Sequence, residues 1–121
     1  MHLWLICCLI LAPPVLSTNP PRTIDVTAGK EILLDCSTVA FPPPKITWMK
    51  DNEVFTQNDS NVKFEENAQI LRISKSDVSD GGHYKCTAKN PAGEVSSEFE
   101  VDISGKFLLL KFVFFLSYFT I

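Results

Sequence analysis

The sequence contains few of the residue types on which most chemistry depends. It has two histidines, His2 and His83. A metal site built from its cysteines would need Cys or His partners at short spacings, and these two histidines do not provide them. Its five glycines form no phosphate-binding loop. The acidic pair Glu65–Glu66 is adjacent, so on a strand the two side chains would point to opposite faces and could not share a proton. The sequence therefore predicts no catalytic residue, no metal site and no cofactor.

Basic runs are also missing. Between residues 20 and 104 there are nine Lys or Arg and fourteen Asp or Glu residues, a net charge of −5, and the whole chain has a net charge of −3. The lysines are scattered singly among acidic residues. Because binding to a phosphate backbone depends on clustered positive charge, the sequence predicts no nucleic-acid partner.

The first seventeen residues resemble a secretory signal peptide. An apolar run over residues 3–11 is followed by Pro13-Pro14 and then by Val15-Leu16-Ser17, where a signal peptidase could cleave. The segment departs from the usual pattern because no Lys or Arg precedes the apolar run. We expect residues 1–17 to be removed, and Cys7 and Cys8 with them. The mature chain would then hold two cysteines in an oxidising compartment.

Residues 105–121 form a hydrophobic C-terminal tail. As a helix, residues 107–121 would span about 22 Å, which is shorter than the ~30 Å hydrocarbon core of a bilayer. Lys111 interrupts the run. The open alternatives are an interfacial segment, a marginal anchor, a lipid-anchor signal that lacks its polar spacer, or a tail added by a truncated transcript. We expect weak membrane association through residues 107–121.

The middle of the chain alternates apolar and polar residues in short stretches separated by turns. This period of two, without any sustained helical period, predicts an all-β domain of about eight strands over residues 20–104. The expected inward positions include Ile32, Leu34, Cys36, Ile46, Trp48, Leu71, Ile73, Tyr84, Cys86, Val95, Phe99 and Val101. Such a pattern is typical of a sandwich or a small barrel.

Four sequence features occur together and resemble the intermediate (I) set of the immunoglobulin superfamily. They are the order Cys36, Trp48, Cys86; the run from Asp80 to Cys86; Pro44-x-Ile46-x-Trp48; and Asn90-x-x-Gly93. The resemblance covers roughly residues 21–104. It implies a two-sheet antiparallel β-sandwich with one disulfide between the sheets.

That resemblance also implies roles for individual residues. Cys36 and Cys86 would form the disulfide, with Trp48 packed against the sulfur atoms. Tyr84 would hydrogen-bond an upstream backbone group, and Gly82 would allow the turn that precedes it. Asp80 is expected to pair with Lys63 or Arg72. The core motif comprises Trp48, Leu71, Asp80, Gly82 and Tyr84.

Domains of this kind act as extracellular or cell-surface recognition and adhesion modules. The resemblance therefore implies binding to protein partners, including second copies of the chain, through a sheet face or a loop. Candidate contacts are Phe41, beside a proline-rich loop, and Met49, on an outer face. Asn58 begins a glycosylation sequon. The alternative is a structural I-set domain of a larger matrix or muscle-type protein, or a truncated fragment of one.

Overall fold

The computed structural model describes residues 10–56 and 60–105, and it confirms the all-β prediction. It contains ten strands and one short 3-10 turn, Val78–Asp80. The strands are β1 (Ala12–Leu16), β2 (Thr23–Thr27), β3 (Ile32–Asp35), β4 (Thr38–Phe41), β5 (Lys45–Lys50), β6 (Glu53–Val54), β7 (Val62–Glu65), β8 (Ile70–Ile73), β9 (Gly82–Asn90) and β10 (Gly93–Ser104).

One layer of the sandwich is a five-stranded sheet with the order β2-β10-β9-β5-β6. The long hairpin β9–β10 forms its centre, with Gly93 paired to Asn90 at the turn and Val101 paired to Gly82 at the far end. Strand β5 pairs antiparallel with β9, and β2 runs parallel to β10. The central position of β9 and β10 follows from their length and their buried alternate residues.

The other layer contains β3, β8 and β7 in that order, and β1 pairs with β4 as a separate ribbon. Strand β7 lies at the edge of its sheet and is short, as edge strands often are. Strands β3 and β4 are separated only by Cys36 and Ser37. Apolar residues of the two layers meet in one core, whose fully buried members include Leu34, Leu71, Ile73, Tyr84 and Phe99.

A disulfide joins the two layers through this core. Cys36 and Cys86 are both fully buried and bonded, with their Cα atoms 6.4 Å apart. This confirms the predicted two-sheet sandwich with one disulfide between its sheets. In the chain-entropy model, the loop closed between Cys36 and Cys86 stabilises the fold by about 4 kcal/mol, because it lowers the conformational entropy of the unfolded chain.

Strand β1 lies within residues 1–17, the predicted leader. It pairs antiparallel with β4, Pro14 is buried, and Leu16 packs against the core. The backbone N–H of Ser17 continues the ribbon by donating to the carbonyl of Ser37 at 2.9 Å. The leader boundary at Ser17 stays a prediction, and cleavage there would remove β1 from the sandwich.

Two other predictions fall on parts of the chain outside the described residues. These are the sequon residue Asn58 and the tail beyond Gly105. Within residues 10–56 and 60–105, no helix is both long enough and apolar enough to cross a membrane.

Candidate functional site

The outer face of the five-stranded sheet carries charged side chains from its two long strands, β9 and β10. Along β9, Tyr84, Cys86 and Ala88 point into the core, so the residues between them point outward. The same alternation on β10 buries Phe99 and Val101 and exposes the acidic residues between and before them. The outward basic side chains of β9 are His83, Lys85 and Lys89, and we name them the basic column. The outward acidic side chains of β10 are Glu94, Glu98, Glu100 and Asp102, and we name the three glutamates, which lie opposite residues of β9, the acidic column.

The strand register places the two columns side by side in matched rows. Lys89 lies opposite Glu94, Lys85 opposite Glu98, and His83 opposite Glu100. The row of Thr87 and Ser96 is uncharged, and its two hydroxyl oxygens lie 3.2 Å apart. One half of the face is therefore positive and the other half negative, at the same levels along the strands.

His83 is held by the acidic column. Its Nδ1 contacts a carboxylate oxygen of Glu100, and its Nε2 lies 3.2 Å from Oε1 of Glu98. The carboxylate of Glu100, and after it that of Glu98, raises the pKa of the His83 imidazole above its ordinary value. The proton on His83 therefore changes the net charge of this end of the face.

The lysines of the face have no comparable partner. In the part of the chain that the structure describes, ion pairs join Arg72 to Glu31 and Glu65 and join His83 to the acidic column, and none includes Lys45, Lys85 or Lys89. Lys45 of β5 lies directly opposite Lys89, an arrangement of like charges that is unfavourable in a sheet. Together with Thr47 and Thr87, these two lysines line a shallow depression of about 440 Å³. An acidic group from outside the domain would relieve their repulsion.

Trp48 supports this face from beneath. The side chain is 2% exposed, stacks on Phe99 with ring centroids 6.0 Å apart, and donates from Nε1 to the carbonyl of Ala68 at 2.6 Å. Its strand partner in β9 is Cys86, so the indole lies beside the disulfide. Trp48 therefore connects the five-stranded sheet to the chain segment between β7 and β8.

Tyr84 and Gly82 of the core motif fix the start of β9, and Leu71 lies on the other layer. The Tyr84 hydroxyl donates to the carbonyl of Asp80 at 2.5 Å, and burial raises the pKa of that hydroxyl. At Gly82 the backbone φ is 151°, and an added Cβ would lie 2.9 Å from the carboxylate of Asp51. Leu71 is fully buried at the centre of β8.

Asp80 has a different partner from the one expected. Its carboxylate accepts from the backbone N–H of Asp77, while the Asp77 carboxylate accepts from Ser79, which forms a capping box around the 3-10 turn. Arg72 pairs instead with Glu31 at 2.8 Å and with Glu65 at 2.7 Å. The ion pairs of the described residues do not include Asp80, so its expected pairing with Lys63 or Arg72 is corrected: Asp80 is used for local capping.

The two candidate contact residues lie on different parts of the molecule. Met49 is half-buried on β5, where it lies between Lys85 of β9 and Val54 of β6. Phe41 is 48% exposed at the end of β4, beside the cis peptide bond to Pro42. Met49 therefore belongs to the outer face of the five-stranded sheet, whereas Phe41 belongs to the β1–β4 ribbon.

Asn90 has a structural role that its sequence motif only partly indicates. It is 7% exposed, and its amide nitrogen donates to the carbonyls of Ala12 and Pro42. Its amide oxygen accepts from the backbone N–H groups of Ala92 and Gly93. One side chain thus joins β1, the loop after β4 and the β9–β10 turn. The Asn90-x-x-Gly93 motif indicates the two hydrogen bonds within the turn but not the contacts with Ala12 and Pro42.

Comparisons with known proteins agree with this architecture. A family model described as the immunoglobulin I-set domain matches residues 14–103. Hemicentin-1 of Mus musculus is 36% identical over 95 residues, which cover 78% of this chain and 2% of hemicentin-1. The chain thus spans a small fraction of the length of this relative.

Two solved structures give the same result. Titin domain M7 is similar with a TM-score of 0.68 and 33% identity, over 78% of this chain and 97% of that one. Sidekick-1 immunoglobulin domains 1–4 is similar with a TM-score of 0.72 and 24% identity, over 78% of this chain and 25% of that one.

Proposed function

We propose, from the premise that the chain belongs to the immunoglobulin I-set family, that it is an extracellular recognition and adhesion module. It binds protein partners through the outer face of the five-stranded sheet and catalyses no reaction. The observation that carries the proposal is the paired basic and acidic columns on β9 and β10, because their matched rows give one face a directional charge pattern. Half-buried Met49 adds an apolar contact to the same face.

The buried disulfide supports an extracellular location. A bond between Cys36 and Cys86 forms and persists in an oxidising compartment, and such bonds are rare in the cytosol. We propose that residues 1–17 direct the chain into the secretory route, that residues 20–104 carry the binding function, and that residues 107–121 associate weakly with membranes. In that route Asn58 would be available for glycosylation.

A second candidate is a structural I-set domain within a larger matrix or muscle-type protein, or a truncated fragment of one. It is favoured by the 33% identity to titin domain M7 and by the 2% of hemicentin-1 that the chain spans. The two candidates differ in the state of the cysteines. A domain that works in a reducing cytosol would hold Cys36 and Cys86 as thiols, whereas an extracellular module would hold them as a disulfide.

The first experiment expresses the full coding sequence in a secreting animal cell. We expect product in the medium or on the cell surface, with Cys36 and Cys86 resistant to alkylation, and mass spectrometry would give the two ends of the chain. Alkaline carbonate extraction would measure how firmly any retained product is held by membranes. Product confined to the cytosol with both cysteines alkylated would favour the structural candidate.

The second experiment tests the binding face. Lys85→Glu replaces a charge in the middle of the basic column, and Lys63→Glu makes the same change on β7 of the other layer as a matched control. We expect Lys85→Glu to reduce binding of the secreted chain to the surface of the expressing cells, measured by flow cytometry, while Lys63→Glu leaves it unchanged. Equal loss in both variants would contradict a role for this face.

A further inference from the structure

The arrangement of the two columns points to a specific partner. We infer that the outer face of the five-stranded sheet docks onto the same face of a second copy of this chain, with both copies running in the same direction. The inference rests on the proposed function, since it names an occupant for the face proposed there. It is carried by the matched rows Lys85–Glu98 and Lys89–Glu94.

Charge complementarity selects the symmetry of this pair. Two identical faces can meet around a two-fold axis that lies between them, either along the strands or across them. An axis along the strands exchanges the positions of the two columns but places each row of one copy over the same row of the other. The basic column of one copy then covers the acidic column of the other, so Lys85 meets Glu98 and Lys89 meets Glu94 of the second copy.

An axis across the strands gives the opposite result. It places each column of one copy over the same column of the other and reverses the order of the rows. Lysines then lie over lysines, and glutamates over glutamates. Like charges at an interface disfavour the wrong pairing. The face is therefore self-complementary only in the parallel arrangement.

Three of the four charged side chains in the two rows are available for such contacts, and the fourth, Glu98, also lies 3.2 Å from Nε2 of His83. Within the described residues, the ion pairs leave Lys85, Lys89 and Glu94 without an opposite charge at bonding distance. The row of Thr87 and Ser96 lies between the two lysine–glutamate rows, and its small hydroxyl side chains allow close approach of the two copies. Lys45 extends the positive half of the face through β5.

The size of the face predicts a weak complex. Three strands about 4.8 Å apart and seven residues long cover roughly 300–400 Å² on each copy. That area is below the ~1,200 Å² total of stable complexes and falls in the range of transient ones. We expect a dissociation constant of about 0.1–1 mM, which matters where copies are crowded on one surface. The net charge of −5 between residues 20 and 104 adds a long-range repulsion, which physiological salt screens beyond about 8 Å.

The test is sedimentation of the full secreted chain at up to about 1 mM, near the expected dissociation constant. We expect self-association at physiological salt that weakens as salt is raised further, and that Lys85→Glu with Lys89→Glu weakens at least about tenfold. Lys63→Glu with Lys75→Glu, on the other layer and its following turn, is the matched control and should associate as the unaltered chain does. Circular dichroism checks that every variant is folded.

A full exchange of charges tests the symmetry. A variant with Lys85→Glu, Lys89→Glu, Glu94→Lys and Glu98→Lys keeps the net charge and swaps the two columns, so it should self-associate again. It should not form mixed pairs with the unaltered chain, because equal charges would then meet in each of the exchanged rows. Absence of self-association, association that survives reversal of Lys85 and Lys89, or mixed pairs would overturn the inference. If self-association is absent but Lys85→Glu still lowers binding to cells, the proposed function stands and only the second copy is rejected.

Discussion

The amide of Asn90 donates a hydrogen bond to the carbonyl of Ala12 at 2.8 Å, although the two residues are 78 positions apart in the chain. The same amide reaches the carbonyl of Pro42 at 3.1 Å. Asn90 is nearly buried, so the groups it satisfies have little access to water. The contact connects the start of β1 to the β9–β10 turn at one end of the sandwich.

Replacing Asn90 should therefore destabilise the domain. Asn90→Ala removes the donor for Ala12 and Pro42 and the acceptor for the turn, and buried polar groups left without partners cost about 1–3 kcal/mol. Urea unfolding would measure the loss. Glu94→Ala, an exposed change at the same turn, should stay within about 0.5 kcal/mol of the unaltered protein. Equal stability of both variants would show that the Asn90 contacts contribute nothing.

Strand β1 leads to a prediction about processing. A chain that begins at Thr18 lacks β1, so β4 loses its strand partner, Asn90 loses one acceptor, and Leu16 no longer packs on the core. We expect it to be at least about 2 kcal/mol less stable than a chain that begins at Leu11, when both follow the same removable leader. Urea unfolding of the two secreted products makes the comparison. Equal stability would mean that β1 is dispensable and that cleavage after Ser17 is compatible with the fold.

The disulfide should account for a large share of the stability. Because Cys36 and Cys86 join the two layers, Cys86→Ser should lower the free energy of unfolding by about 2–5 kcal/mol. Alkylation of the native secreted chain should label neither residue before reduction and both after it. A native chain that is labelled at Cys36 without reduction would contradict this prediction.

Much of the fold could be predicted from the sequence because local patterns encode it. Alternating apolar residues place Leu34, Tyr84 and Phe99 in the core. The resemblance of the Cys36, Trp48 and Cys86 order to immunoglobulin domains implies the sandwich and its disulfide. These features depend on neighbours in the chain and on a period of two. They can be predicted without knowing which strands pair.

The features that could not be predicted depend on contacts between distant segments. The two hydrogen bonds that the Asn90 amide nitrogen donates require β1 and the loop after β4 to meet the β9–β10 turn, and nothing near Asn90 in sequence specifies that meeting. The ion pairs of His83 require the register between β9 and β10. Strand β1 could not be predicted from its sequence, because an apolar run before Pro13 and Pro14 is also typical of a leader.

Trp48 provides a test of one partly buried hydrogen bond. Trp48→Phe keeps an aromatic ring against Phe99 but leaves the carbonyl of Ala68 without its donor, so we expect a loss of about 1–3 kcal/mol. Trp48→Ala removes the ring as well and should cost about 3–5 kcal/mol. Urea unfolding of both variants separates the two contributions. If Trp48→Phe is as stable as the unaltered chain, the indole N–H contributes nothing.

His83 should make the stability of the domain depend on pH. Because Glu100 and Glu98 raise the pKa of His83 in the folded state, the charged imidazole stabilises the fold. That contribution is fully present below the unfolded pKa of about 6.5 and is lost as the pH rises through the higher folded pKa. The free energy of unfolding of the unaltered chain, measured relative to that of His83→Asn, should therefore fall as the pH rises above about 6.5.

Proton NMR would follow the titration directly. The His83 ring signal, identified by its absence in His83→Asn, should titrate above the ordinary histidine value. Glu100→Gln should lower the pKa of His83 more than Glu98→Gln does, because Glu100 makes the larger contribution to the shift. Glu94→Gln, on the same column but outside contact with His83, should leave the pKa unchanged. Titration of His83 at or below about 6.5 in the unaltered chain would show that the two carboxylates do not hold its proton.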